Sequence, residues 1–168
     1  MFSRKKVKKL SESGLKDFLI VKALEAEGLS HWGIAWAIGD SKGWSAERVI
    51  LALQEAGWID LHLIRYLSEV WGEQGLLYSL VNMKWGNERI LRALEGLWSD
   101  KKIMHALKGL RWSEYDIIRS LEDAGWGDER IAISMLVSEW KRDRITEVLT
   151  FLNWGHERIF GILNFIPQ

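Results

Sequence analysis

The chain contains no cysteine, which excludes disulfides, thiolate nucleophiles and Cys-based metal sites. Proline occurs once, Gly/Pro-rich linkers are missing, and no segment alternates apolar and polar residues as a half-buried strand does. No apolar run reaches the roughly 18 residues that a membrane span needs. The basic start runs into GLKDFLIVKALEAEG, where Lys and Glu interrupt any apolar core of a signal peptide. A net charge is missing as well, with 23 basic and 23 acidic side chains among 168 residues. The balance is uneven along the chain. Arg4, Lys5, Lys6, Lys8 and Lys9 stand together without an acid, and the remainder carries 18 basic and 23 acidic groups, a net of −5. A mildly acidic body with a basic start is a poor profile for a protein whose whole surface binds nucleic acid. These features read as a soluble cytoplasmic protein, and the absence of Cys with few amides leans toward a thermophilic source.

Chemistry-bearing constellations are equally sparse. The four histidines, His31, His62, His105 and His156, have no metal-ligand spacing. No paired carboxylates stand out. The segment from Gly39 to Gly43 lacks the spacing and Lys-Ser/Thr ending of a phosphate loop and reads as a turn between helices. We therefore expect no catalytic residue, no metal and no cofactor.

What is abundant is tryptophan, and its spacing is regular. Trp44, Trp58, Trp71, Trp85, Trp98, Trp112, Trp126, Trp140 and Trp154 follow one another at steps of 13 or 14 residues, and Leu29 and Leu15 extend the ladder backwards. Numbered from its Trp, each unit has a pattern. The second place is Ser or Gly in seven of the nine Trp units, as suits a helix N-cap. Acids gather in the next two places, opposing the positive end of the helix dipole. The sixth place is always aliphatic, so Trp before the cap and the aliphatic four residues into the helix form a hydrophobic staple. The reciprocal capping box is mostly missing. The tenth place is Leu or Met, one turn beyond the sixth and on the same face, and the ninth is usually small. Gly57, Gly96, Gly109 and Gly125 fall near unit ends, where left-handed caps are expected.

Each unit is one helix of about 10 residues, too short to be stable alone. The expected fold is an all-α helical solenoid, right-handed or of undetermined hand, made of about eleven short Trp-marked single-helix repeats of ~14 residues. Residues 1–13 read as a basic flexible tail and 14–168 as a single repeat domain. Pairing of units into 27–28-residue hairpins and grouping in threes both fit. Glu-Arg-Val/Ile recurs with a spacing of 41 at residues 47–49, 88–90 and 129–131.

Phrases such as GWSAERVILALQEAGW resemble units of the RecX recombination regulators and the short helical units of ubiquitin-associated domains. The first resemblance implies tandem three-helix repeats. It rests on a Trp–Ser–x–x–x–aliphatic–x–x–x–Leu pattern and implies no function.

Three features exceed the needs of the repeat. Trp32 and Trp36 lie four apart where other units carry Glu or Arg, and so form a candidate protein-binding patch. Cations recur at the fifth place as Arg48, Arg89, Lys102, Arg130, Arg144 and Arg158. They read either as ion-paired side chains or as a ridge for polyanions, and the basic start is a second polyanion candidate. The last unit ends with few charges, making Phe160, Phe165 and Ile166 candidates for self-association as a homodimer. Together these suggest a non-catalytic scaffold that binds another macromolecule, most readily a protein. The alternative is a nucleic-acid- or ribosome-binding protein anchored by the basic start.

Overall fold

The computed structural model describes residues 2–165, and these are helical with no strand among them. In chain order the helices are α1 (Phe2–Glu12), α2 (Asp17–Ala26), α3 (His31–Gly39), α4 (Ala46–Glu55), α5 (Asp60–Trp71), α6 (Glu73–Asn82), α7 (Asn87–Glu95), α8 (Asp100–Gly109), α9 (Glu114–Asp123), α10 (Asp128–Val137), α11 (Arg142–Phe151) and α12 (His156–Phe165). The chain divides into two compact units, Met1–Trp85 and Gly86–Gln168.

Local signals set the helix boundaries. The second-place residue of every unit from Leu15 to Trp140 is the N-cap. Ser30, Ser45, Ser99 and Ser113 each accept a hydrogen bond from the amide three residues on, at 3.1–3.4 Å. Ser113 and Asp116 complete a reciprocal capping box. At the other end, the residue just before Trp58 and Trp126 is a glycine at positive φ (Gly57, Gly125). The following Trp amide then donates to the carbonyl of the preceding tenth-place Leu (Leu53, Leu121) at 3.0 Å. This is the long bond of a Schellman cap. The caps therefore do not lie where Gly96 and Gly109 suggested. Gly96 caps α7 with φ −72, and Gly109 closes α8 from within. Lys84, Arg111, Glu139 and Asn153 instead adopt the left-handed conformation before their Trp. Between α5 and α6 the turn shrinks to a single residue, Gly72, at φ 74.

Sixth and tenth places are buried, as in Ile103 and Leu107 or Ile117 and Leu121, except Leu163 in the last unit, which is half-buried. The seventh place joins them (Ile50, Ile64, Leu77, Leu91, Met104, Ile118), so the buried stripe is wider than two positions. Each such side chain contributes roughly 1.5–3 kcal/mol relative to exposure. Small ninth-place residues such as Ala52, Ala106 and Ser134 are buried too, allowing close helix approach.

Within Met1–Trp85, each helix packs on its successor, and next-but-one contacts join α1 to α3, α2 to α4, α3 to α5 and α4 to α6. Within Gly86–Gln168, successive helices again pack together, and α7 meets α9, α8 meets α10 and α10 meets α12. Residues 2–12, within the stretch that reads as a flexible tail in the sequence, form helix α1, which packs on α2 and α3 with Val7 fully buried.

Candidate functional site

The fifth-place arginines explain the local electrostatics. Arg130, on α10, lies 3.5 Å from the ring centroid of Trp126 in its own unit. Its guanidinium donates to both oxygens of Asp100 on α8, at 2.8 and 3.0 Å, and to Glu95 on α7 at 2.7 Å. One side chain thus joins its own Trp, the third-place acid two helices back and the eleventh-place acid three helices back. The arrangement recurs. Arg158 covers Trp154 at 3.4 Å, chelates Asp128 on α10 and reaches Glu122 on α9. Arg48 covers Trp44 at 4.2 Å, chelates Asp17 on α2 with two 2.7 Å bonds and donates to Ser11 on α1. Arg144 pairs with Glu114 on α9; the eleventh place three helices back is Lys108, and its own Glu147 supplies the second carboxylate.

These clamps shift ionisation as expected. Hydrogen bonds to Asp17, Asp100 and Asp128 hold Arg48, Arg130 and Arg158 respectively above the ordinary guanidinium range, against the opposing effect of desolvation. Arg144 is raised too, chiefly by Glu147 and Glu114. The hydrogen bonds from Arg158 hold Asp128 below the usual carboxylate range.

Of the other fifth-place cations, Lys102 sits 4.5 Å over the Trp98 ring and Arg89 is exposed on α7. The eleventh-place acids also hold indoles. Glu122 accepts from Trp154 Nε1 at 2.7 Å, and Glu25 accepts from Trp58 Nε1 at 2.9 Å. At the matching place Lys108 instead lies 4.8 Å over Trp140.

The fifth place carries no cation at Leu19, Gly33, His62, Gly75 and Asp116. In the Trp58 unit the fifth place is His62, the third place two helices back is His31, and the eleventh place three helices back is Glu25. Two imidazoles therefore replace the Arg–Asp pair, with ring centroids 4.9 Å apart. His31 meets Trp58 edge-on at 4.5 Å and Tyr66 at 5.7 Å. Burial alone would raise the Glu25 pKa, but hydrogen bonds from Lys22 and Trp58 outweigh it and hold the carboxyl low. Trp32 stands beside this group, 49% exposed, tilted against Trp36 at 5.7 Å and donating to Glu69 at 2.7 Å. Glu25, Leu29, Ser30, His31, Trp32 and Tyr66 line a cavity of about 580 Å³.

The basic start is ordered by pairing. Arg4 pairs with Asp40, Lys6 with Glu27 and Lys8 with Glu12, while Lys5 and Lys9 are exposed. At the far end Phe160 is 71% exposed, whereas the side chain of Phe165 and all of Ile166 lie outside the described residues. Trp32 and Trp36 are thus brought together, and the fifth-place cations are spread over separate clamps. Sequence reasoning missed His31, His62, Tyr66 and the acid partners of the arginines. The signal for the partners was the separation of 30 or 31 residues between Arg48, Arg130, Arg144 and Arg158 and their third-place acids.

Among the described residues no group of three or more His, Asp or Glu could hold a metal ion, and no helix is long and apolar enough to cross a membrane. No family model matches the sequence, nor does any curated protein.

Proposed function

We propose that this protein is a non-catalytic helical-repeat scaffold, its short units stacked as a solenoid, and that it binds a protein partner. The contact centres on Trp32, Trp36 and the neighbouring His31–Tyr66 group. The observation that carries the reading is the half-exposed Trp32, at the place held by Glu47, Glu88, Glu129 and Glu157 in other units, beside the clamp position whose ions are replaced by imidazoles. Aromatic residues with a polar edge in a partly open cavity are the side chains that most often anchor protein interfaces. Next-but-one packing within each compact unit supports hairpins of two helices as the structural repeat.

The test is an affinity capture from the source cell comparing wild type with Trp32→Ala/Trp36→Ala and with Phe151→Ala, an exposed aromatic on α11. A partner retained by wild type and Phe151→Ala but lost by the Trp pair supports the reading. Equal retention by all three contradicts it.

A further inference from the structure

The residues that read as a tail build something more definite. Helix α1 and the turn between α3 and α4 face each other across a cleft of about 550 Å³. Its walls carry Arg4, Lys5 and Lys8 from α1 and Lys42 from the turn, with Trp44 and Arg48 beyond, against only Glu12 and Asp40. Lys5 and Lys42 have no carboxylate partner among the described residues. Arg48 is fixed by Asp17 and Ser11, and Arg4 is held by Asp40. A local positive excess on a body that is otherwise net negative focuses field into the cleft and draws anions to it.

The arrangement suits an extended polyanion better than one small anion. Arg4 and Lys8 are about 6 Å apart along the α1 axis at 1.5 Å per residue, so the cations are strung along the helix. Lys42 faces them from the other wall, so cations flank a path instead of converging on a point. The Trp44 ring also lines the cleft, with Arg48 over one of its faces, and an aromatic ring beside cations is the second element of single-strand binding sites. A lipid surface would instead want apolar side chains projecting outward, and Val7, the apolar residue α1 sends to this cleft, is fully buried.

We propose that the α1 cleft binds the phosphodiester backbone of a single-stranded nucleic acid, with Arg4, Lys5, Lys8 and Lys42 as the phosphate contacts. Asp40 is a built-in competitor, because a phosphate must displace it from Arg4. This site is separate from the Trp32 patch, and its loss leaves the protein-partner reading untouched.

Fluorescence anisotropy of labelled oligo-uridine and oligo-thymidine, each about 12 nucleotides, tests the proposal on the full chain. Four phosphate contacts at a single-strand slope of about −0.7 each predict a roughly 50-fold loss of affinity between about 50 and 200 mM salt. Lys5→Ala/Lys42→Ala should weaken binding by about tenfold or more at low salt and flatten the slope by about 1.4, with circular dichroism unchanged. Asp40→Asn should tighten binding several-fold, a gain that misfolding cannot produce. Lys141→Ala, an exposed cation at the N-cap of α11, should change nothing. A preference for uridine over thymidine assigns the strand to RNA, and the reverse assigns it to DNA. No binding at low salt, or unchanged binding in the double variant, overturns the proposal. So does tighter binding to duplex or to phosphatidylserine vesicles than to either single strand.

Discussion

The two compact units follow the same repeat with different strictness. In Gly86–Gln168, Arg130, Arg144 and Arg158 occupy successive regular clamps, each tied to an acid two helices back. In Met1–Trp85 only Arg48 does so, and the fifth places of the neighbouring units are Gly33, His62 and Gly75. The regular half shows what the pattern is for: a guanidinium laid on its own Trp and neutralised across the helix layer. The irregular half shows where that requirement was dropped. There, His31, His62 and the half-exposed Trp32 take over positions that ions hold elsewhere.

The largest expected effects do not distinguish the halves. Leu53→Ala in α4 and Leu121→Ala in α9 each remove a fully buried tenth-place side chain and should each cost about 2–5 kcal/mol in urea unfolding. A marked inequality between them would mean that the two cores are not built alike.

Next come the clamps. Arg130→Ala removes two carboxylate pairs and a cation–π contact from a side chain that is still partly solvated, so about 1–2 kcal/mol is expected by the same measurement. The converse experiment installs the clamp in the irregular half. His31→Asp/His62→Arg should raise stability by up to about 1 kcal/mol while abolishing partner capture through the Trp32 patch. Capture that survives the swap would separate the imidazoles from the binding role.

Smaller still are the left-handed caps. Gly57 and Gly125 meet this demand without strain, whereas Arg111 and Glu139 hold positive φ with a side chain. Arg111→Gly and Glu139→Gly should each stabilise the regular half by about 0.5–1 kcal/mol in thermal melts. The smallest effect is a pH dependence. The folded-state pKa of Asp128 lies below its unfolded value, so its contribution is complete above about pH 4 and fades as pH falls through the folded pKa. Asp128→Asn should therefore flatten the acid limb of the stability profile below about pH 4.

Much of the fold was legible because its signals are local. Ser and Gly before each acidic first turn, the aliphatic sixth place and the tenth-place Leu each act within one helix, so a single unit announces its own boundaries. Helix α1 was missed because SRKKVKKLSE has the composition of a solvated tail. Only the burial of Val7 against later helices and the pairing of Arg4 and Lys6 with Asp40 and Glu27 reveal its place. The site was less legible for the same reason. Arg130 and Asp100 are 30 residues apart, and His31 and His62 meet only because α3 packs on α5. Trp32 and Trp36 were readable because they share one helix face.

We propose that the fifth-place arginine is a structural clamp whose replacement marks the exposed site. A double-mutant cycle on Arg130→Ala and Asp100→Ala, followed by urea unfolding, tests this most directly. A coupling of about 1 kcal/mol is predicted, well above the roughly 0.3–0.5 kcal/mol within which independent sites add. Additive single variants would contradict it, because the recurrent pairing would then be incidental surface geometry and its absence around His62 would mark nothing.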